Sequence, residues 1–221
     1  MKCDFHIHTH YSYDSTSSVQ DIVKVAVKKK INCLAITDHN EIRGALEIEK
    51  YAAKESILII PGIEVKTKMG DMLGLNVKAK ISDGLSVKET VQKIKEQGGI
   101  AIIAHPFSSF TPFKGRIESF LGEINGIEIL NASIFQRDNK KALEIAKKEG
   151  LSFTAGSDAH SPNFVGGAYM EIPGKNLSVE QVLKAVINKN GQIYGKEINF
   201  FEKVIDHSQR TITKLKKLKK S

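Results

Sequence analysis

The segment CDFHIHTHYSYDS, residues 3–15, decides the fold prediction because it joins a buried strand to a cluster of potential metal ligands. CDFHIH at 3–8 predicts a strand, in which every second side chain points to the same side. His6 and His8 therefore face the same way, at a spacing that allows both to bind one cation. An HxH pair alone is a weak signal, so its meaning depends on whether similar groups follow other strands.

Four further apolar segments also end in side chains that bind metals. They are followed by TDHN at 37–40, GIEV at 62–65, AHPF at 104–107 and GSDAH at 156–160. In a fold of alternating strands and helices, the carboxyl ends of the strands lie on one face, where functional sites form. Side chains that are distant along the chain are therefore expected to share one pocket, which predicts a metal centre.

The rest of the chain alternates short apolar segments with amphipathic ones, which predicts βαβ units and a parallel sheet. Besides 3–8, strands are expected at 32–37, 56–65 with an interruption at Pro61–Gly62, 72–77, 100–105, 127–131 and 152–158. Helices are expected at 19–29, 41–54, 86–97, 136–149, 178–189 and from about 200. About seven strands are compatible with a (β/α) barrel or an open doubly wound sheet. Neither GxGxxG nor GxxxxGK[ST] occurs, so dinucleotide and Walker-type phosphate binding have no support.

Length and composition are those of an ordinary globular protein. The chain has 221 residues, 41% hydrophobic and 26% charged, which suits one domain and excludes collagen-like, disordered and disulfide-stapled classes. No apolar run approaches the roughly 20 residues needed to cross a bilayer, and no secretory signal is recognised at the N-terminus. Cys3 and Cys33 lie in apolar segments and are expected to be reduced core thiols of a cytoplasmic protein.

The types of ligand narrow the choice of metal. Imidazole and carboxylate without thiolate suit Zn²⁺, Mn²⁺ or Fe²⁺. One ion with an open coordination position needs fewer ligands than the chain offers, so we expect two or three ions with a bridging carboxylate. Such clusters hold phosphoryl oxygens and activate water in phosphate hydrolysis. Eight side chains are expected to bind metal: His6, His8, Asp14, His39, Glu64, His105, Asp158 and His160.

The order HxH, TDH, GxE, HP and GSDxH resembles the PHP (polymerase and histidinol phosphatase) phosphoesterases, over roughly residues 2–195. The resemblance implies a distorted (β/α)₇ barrel at 1–199, followed by a basic C-terminal helix or tail at 200–221. It implies hydrolysis of phosphate esters by a metal-bridging hydroxide. The ligand groups it implies are His6, His8, Glu64 and Asp158 for one ion, Glu64 and His105 for a second, and Asp14, His39 and His160 for a third.

The resemblance also suggests catalytic roles. Glu64 would bridge two ions. His39 and His160 are candidates for the acid that protonates the leaving group, provided that they do not bind metal.

Two positions depart from the family pattern. Asn131 stands where histidinol-phosphatase-like members often carry a histidine, and Asp71 stands where some members carry another. Because asparagine is a poorer ligand, the second ion is expected to bind more weakly. The sequence around Asn131 looks more like the branch with nucleoside bisphosphate phosphatases and 5′–3′ oligoribonucleotide exonucleases.

The leading expectation for the substrate is therefore nucleotide-like, a nucleoside bisphosphate or the 5′ end of a short RNA. One alternative is a small phosphomonoester such as histidinol phosphate. Another is a non-catalytic module of the same fold that binds RNA or a partner protein.

Substrate binding requires groups besides the metal ligands. Ser108, Lys114 and Arg116 lie on a segment after the HP motif, where they are candidates to bind a second phosphate. Asn131 is a further candidate for contact with metal or substrate. The aromatic rings of Phe107, Phe110 and Phe113 could stack on a base, although core packing is the simpler role for at least one.

Three other polar residues near the motifs are expected to have supporting roles. His10 lies where the chain leaves the first strand, which favours a structural position or the pocket wall. Asp38, directly before His39, is expected to orient an imidazole. Glu128 alternates with apolar neighbours, which favours a solvated or structural position.

The positive charge is concentrated at the C-terminus. The formal charge of the chain is +8, and residues 208–221 contain six basic side chains and no acidic one. A basic tail can contact nucleic acid. A solvated terminal helix is the simpler interpretation.

Overall fold

The computed structural model describes residues 1–219, within which nine strands alternate with six α-helices. The strands are β1 Lys2–Ile7, β2 Cys33–Ile36, β3 Leu58–Lys66, β4 Asp71–Leu75, β5 Ile100–Ile103, β6 Gly126–Asn131, β7 Phe153–Gly156, β8 Ala168–Glu171 and β9 Gln192–Gly195. The helices are α1 Val19–Lys29, α2 Arg43–Ala52, α3 Val87–Glu96, α4 Gln136–Glu149, α5 Val179–Ile187 and α6 Phe200–Leu218. Lys220 and Ser221, the end of the expected basic tail, lie outside the described residues.

The strands form one sheet in the order β7-β6-β5-β4-β3-β2-β1-β8-β9. The sheet curls until the segment after β7 meets the carboxyl end of β1. There the Asp158 N–H donates to the His6 carbonyl at 2.8 Å, and the His8 N–H donates to the Ala159 carbonyl at 3.0 Å. The expected α/β barrel is therefore confirmed as a nearly closed, barrel-shaped sheet.

Two features of the sheet differ from the sequence prediction. The strand count is nine in the described residues rather than about seven, because the short strands β8 and β9 were not anticipated. The sheet is also mixed rather than parallel. The antiparallel pairs are β3 with β4, β4 with β5, β1 with β8, and β8 with β9.

Strand β3 runs through Pro61–Gly62 without the predicted interruption. Up to Pro61 it pairs in parallel with β2, and from Gly62 it pairs antiparallel with β4. Proline lacks the N–H that a continuous ladder requires. The ladder with β2 therefore ends where that donor is missing, and β3 meets the segment after β2 again at Glu64, whose N–H donates to the Asp38 carbonyl at 3.1 Å.

The helices begin where the sequence provides caps, and they bury one face each. The Ser18 side chain accepts from the Asp21 N–H at the start of α1, and Ser86 and Ser178 form capping boxes for α3 and α5. Buried residues of α1 recur at helical spacing, at Val19, Ile22, Val23 and Ala26. These faces cover the sheet and leave its carboxyl-end rim open for polar side chains.

Cys3 and Cys33 face each other in the register of β1 and β2 and are both buried and unoxidised, as expected for core thiols. Within residues 1–219, no helix is both long and apolar enough to cross a membrane.

Candidate metal centre

Glu64 lies at the centre of the polar cluster in the barrel mouth. Its carboxylate oxygens are 2.9 Å from His39 Nδ1, 3.1 Å from His105 Nε2, 3.3 Å from His8 Nε2 and 3.5 Å from His6 Nε2. These residues come from β1, β3 and the segments after β1, β2 and β5. The convergence of strand ends therefore places four imidazoles around one carboxylate, which suits a bridging role for Glu64.

Two aspartates complete the cluster. Asp158 Oδ1 lies 3.3 Å from His8 Nε2 and 3.4 Å from His160 Nδ1. Asp14 Oδ1 lies 3.3 Å from His160 Nε2, and its Oδ2 lies 3.4 Å from His39 Nε2. All eight side chains expected to bind metal are thus brought together, although they span residues 6 to 160.

Three sets of ligand atoms within this cluster lie within 4.8 Å of one another and could each hold an ion. They differ in part from the groups implied by the family resemblance, since His8 rather than Asp14 accompanies His39 and His160. The three sets are His8, His39 and His160; His6, His8 and Asp158; and His6, Glu64 and His105.

Hydrogen bonds fix which nitrogen of His6 faces the cluster. His6 Nδ1 lies 3.1 Å from Glu128 Oε1, and the pair is buried. A carboxylate accepts only, so this contact requires a proton on Nδ1, and the neutral imidazole then points the lone pair of Nε2 towards Glu64. That arrangement is the one in which His6 can bind a metal ion.

A serine performs the same function for His8. The Ser12 hydroxyl donates to Asp38 Oδ1 at 2.6 Å, and so it accepts from His8 Nδ1 at 3.0 Å. The lone pair of His8 Nε2 then faces His6 Nε2, 3.1 Å away. Two unprotonated nitrogens at this distance repel each other unless a cation lies near both. Asp38 thus orients an imidazole as expected, although it acts through Ser12.

Buried polar atoms without a hydrogen-bond partner also indicate a cation-binding site. His160 Nδ1 contacts the Asp158 carbonyl at 3.1 Å, which places its proton on Nδ1 and its lone pair on Nε2. Within residues 1–219, His160 Nε2, Asp14 Oδ1 and His105 Nδ1 are buried without a hydrogen-bond partner. Leaving such atoms unpaired costs about 1–3 kcal/mol each. Coordination of divalent ions by this donor set would satisfy His160 Nε2 and Asp14 Oδ1.

The buried carboxylates of the cluster attract positive charge. Burial lowers the pKa of His39, but the Glu64 and Asp14 carboxylates together outweigh burial and raise the pKa to about 10. The pKa of His105 is raised to about 9 by Glu64, again against burial. Burial raises the pKa of the Asp158 carboxyl, yet His6, Arg210 and His8 together hold it well below its usual range. The carboxylates therefore stay ionised and draw cations, either protons or metal ions, into the barrel mouth.

The backbone is strained at two of these residues. His105 has φ of 25° and Asp158 has φ of 51°, in a region that residues with side chains rarely adopt. Strain of this kind persists only where surrounding structure enforces it, and it clusters at functional sites. It turns both side chains into the barrel mouth.

Residues 4–217 match the family model of the PHP domain. The chain belongs to the PHP domain family. An uncharacterized protein of Methanocaldococcus jannaschii is 42% identical over 163 residues, which are 67% of this chain and 93% of that relative.

Solved structures share the fold of this PHP domain. A two-domain protein from Bacteroides vulgatus, described as containing a predicted PHP-like metal-dependent phosphoesterase, has a TM-score of 0.75 at 20% identity. The match covers 89% of this chain and 65% of that protein. The lesion-specific endonuclease EndoQ from Pyrococcus furiosus has a TM-score of 0.65 at 20% identity, with 87% of this chain and 57% of that protein covered.

The residues expected to bind substrate are only partly at the centre. Ser108 lines a cavity of about 510 Å³ beside it, whereas Lys114 and Arg116 are absent from its described lining. Arg116 is exposed and lies 4.0 Å from Glu118. Neither cation of this loop is among the residues that line the two cavities beside the candidate centre.

Asn131 reaches the centre but presents its nitrogen. Its Nδ2 donates to Glu128 at 3.0 Å and lies 3.4 Å from Asp158 Oδ2, while its Oδ1 accepts from the Ser133 N–H at 2.8 Å. This network assigns the amide orientation. Asn131 thus supports the carboxylates in the place where a histidine would offer a ligand atom. Asp71, the other departure, lines the cavity that also contains Glu64.

Glu128 is the first functional residue that sequence reasoning missed. It is 1% exposed, so the solvated alternative is wrong. Besides His6, its carboxylate accepts from the backbone N–H of His105 at 3.0 Å. The available signal was an acidic residue inside an otherwise apolar strand. His10, by contrast, is exposed beside Glu47 and lies away from the cluster.

Arg210 is the second missed residue, and it comes from the C-terminal helix. Its guanidinium donates to the Asp158 carbonyl at 3.0 Å. The expectation of a solvated terminal helix is therefore wrong for the face of α6 that carries Arg210. The basic composition of the tail had suggested nucleic acid as a partner and not contact with the barrel mouth.

Proposed function

We propose that this PHP domain hydrolyses phosphate esters with two or three divalent ions, of Mn²⁺, Zn²⁺ or Fe²⁺, in the barrel mouth. The observation that carries the proposal is the gathering of eight imidazole and carboxylate ligands. Hydrogen bonds also orient the Nε2 lone pairs of His6, His8 and His160 into the cluster. Bound there, such ions would supply Lewis-acid stabilisation of phosphoryl oxygens and lower the pKa of water.

The protein's own groups have distinct tasks in this proposal. Glu64 keeps its carboxylate between the imidazole groups, where it would hold a metal ion together with His6 and His105. His39 and His160 both face Asp14, which favours roles as ligands over the role of leaving-group acid. Glu128 and Asp38, through Ser12, keep protons off the coordinating nitrogens of His6 and His8.

The substrate class that we propose is nucleotide-like, a nucleoside bisphosphate or the 5′ end of a short RNA. Support comes from the cavity of about 510 Å³, which is lined both by candidate metal ligands and by Phe110 and Phe135. The two aromatic rings are tilted at 30°, with centroids 6.0 Å apart. A planar base could pack against such a surface. A small phosphomonoester such as histidinol phosphate has no group of that size to fill it.

Turnover by purified protein tests the proposal. We expect Mn²⁺-dependent hydrolysis of p-nitrophenyl phosphate or its bis ester, lost in Asp158→Asn, and faster hydrolysis of a nucleoside bisphosphate or 5′-phosphorylated RNA. Preference for histidinol phosphate would overturn the substrate class. Bound metal without hydrolysis of any ester would overturn the enzymatic function and favour a binding module.

A further inference from the structure

Helix α6 lies across the barrel mouth and is tied to the metal centre. The helix begins at Asn199, whose side chain forms a capping box with Glu202. About three turns further on, Arg210 Nη2 donates to the Asp158 carbonyl at 3.0 Å and to Ser133 Oγ at 3.1 Å. The helix thus holds the backbone of a candidate metal ligand.

A second tie lies near the end of α6. The ammonium of Lys217 donates to the carbonyls of His10, Ser12 and Ser15 at 2.7, 2.6 and 2.9 Å. These three bonds use all three protons of the ammonium. They fix the helix to the loop that carries Asp14, another candidate ligand.

The position of α6 makes it one wall of the cavity beside the metal centre. The same cavity is also lined by Ser108 and Phe135 and by the candidate ligands Asp14, His105 and Asp158. From α6 the cavity receives three cationic side chains, at Lys203, Arg210 and Lys214. A substrate bound at the metal centre would therefore touch this helix.

Two of these three cations are bound by protein oxygens, and the third can bind a ligand. Arg210 is engaged by Asp206 Oδ2, 2.6 Å from its Nε, and by the contacts described above. The Lys203 ammonium donates to the Ile134 carbonyl at 2.7 Å and to Glu197. Within residues 1–219, the Lys214 ammonium has no protein oxygen as acceptor and lies over the Tyr13 ring, 5.1 Å from its centroid.

Lys214 also has the appropriate position for a substrate anion. It lines both the cavity with the aromatic rings and the cavity that contains Glu64, His39 and Asp71. A free ammonium between these spaces, beside a cluster of carboxylates, attracts an anionic group that the metal ions do not hold.

We propose that α6 is the substrate-binding wall of this site, in which Lys214 binds a second anionic group of the substrate, beyond the phosphoryl group at the metal centre. The inference rests on the proposed phosphoesterase function. It assigns the role once expected of Lys114 and Arg116 to a helix at the far end of the chain, and it selects substrates with two anionic groups.

The test compares Lys214→Ala with Lys216→Ala, a matched control on the same helix that is exposed and outside the cavity lining. The substrates are adenosine 3′,5′-bisphosphate, with two anionic groups, and p-nitrophenyl phosphate, with one. Loss of one charged hydrogen bond is expected to raise KM for the bisphosphate about tenfold. The KM for p-nitrophenyl phosphate, kcat and the calorimetric Mn²⁺ affinity should not change, and Lys216→Ala should resemble the wild type.

Each other outcome has a defined meaning. Equal KM values for the bisphosphate in the two variants would overturn the inference. An equal rise in KM for both substrates in Lys214→Ala would also overturn it, because Lys214 would then act on the phosphoryl group at the metal centre. A wild-type protein that hydrolyses p-nitrophenyl phosphate but not the bisphosphate would overturn it too. No turnover of either ester by the wild type would refute the proposed function itself.

Discussion

Replacing Glu128 with glutamine tests the claim that a buried carboxylate sets the protonation of a metal ligand. The Glu128 carboxylate accepts from His6 Nδ1, the His105 N–H and Asn131 Nδ2. The latter two share Oε2, so the glutamine oxygen can keep both. The glutamine amide then occupies the position of Oε1, where its N–H meets the Nδ1–H of His6.

Two donors cannot face each other at 3.1 Å, so the structure must respond. The least costly response moves the His6 proton from Nδ1 to Nε2, since the glutamine amide can then donate to Nδ1. His6 Nε2 loses the lone pair that it would offer to a metal ion. Loss of such outer contacts typically weakens metal binding about 10–100-fold, which corresponds to about 1.4–2.8 kcal/mol.

Calorimetric titration with Mn²⁺ measures this effect directly. Glu128→Gln should weaken the tightest Mn²⁺ site by that factor, whereas the stability of the metal-free protein should change less, because the tautomer shift preserves a hydrogen bond. Glu144→Gln is the matched control, since Glu144 is exposed on α4. Wild-type Mn²⁺ affinity in Glu128→Gln would refute the argument that this carboxylate controls His6.

Three further perturbations probe the same centre. Ser12→Ala removes the acceptor for His8 Nδ1 and a donor to Asp38, so calorimetry should give at least about tenfold weaker Mn²⁺ binding; an unchanged affinity would contradict the relay. Gly156→Ala places a methyl group 2.4 Å from His6 Cβ, and urea unfolding should show a loss of about 1–3 kcal/mol; undiminished stability would show that the strand end has room. Removing metal with a chelator should lower the melting temperature and Mn²⁺ should restore it, with about 2.7 kcal/mol of stabilisation at one hundred times the dissociation constant; a melting temperature insensitive to Mn²⁺ would contradict metal binding by the folded state.

Seven of the eight candidate metal ligands were predictable because each lies in a local motif. The histidines at 6 and 8 end a strand with the spacing that places both side chains on one side, and Asp158 ends another. The rule that the carboxyl ends of parallel strands converge then predicts that these side chains share one site. No knowledge of the connecting loops was required for these seven residues, whereas Asp14 lies in a loop after β1 and was supported mainly by the family resemblance.

Glu128 and the strand count were not predictable in the same way. Alternation of polar and apolar residues usually marks a strand with one solvated face. In a nearly closed barrel the inner face is enclosed, so the polar member of the alternation at Glu128 is buried beside the ligands. Strands β8 and β9 have four residues each and pair antiparallel at the edge of the sheet. Their short length leaves little periodicity to detect.

The role of α6 depends on tertiary contacts that a sequence does not encode locally. Composition correctly indicated a basic helix. Only the fold shows that Arg210 and Lys217 turn towards backbone carbonyls of the barrel mouth. A basic residue that binds a carbonyl and one that binds water look the same in a single sequence.

Diffraction from crystals soaked in Mn²⁺, recorded at the manganese absorption edge, tests the central claim most directly. We expect at least two anomalous peaks in the barrel mouth, with Glu64 contacting both and with His6, His105 and Asp158 among the nearest side chains. A clear map in which manganese lies elsewhere, or in which this cluster stays without an ion at saturating Mn²⁺, would contradict the account.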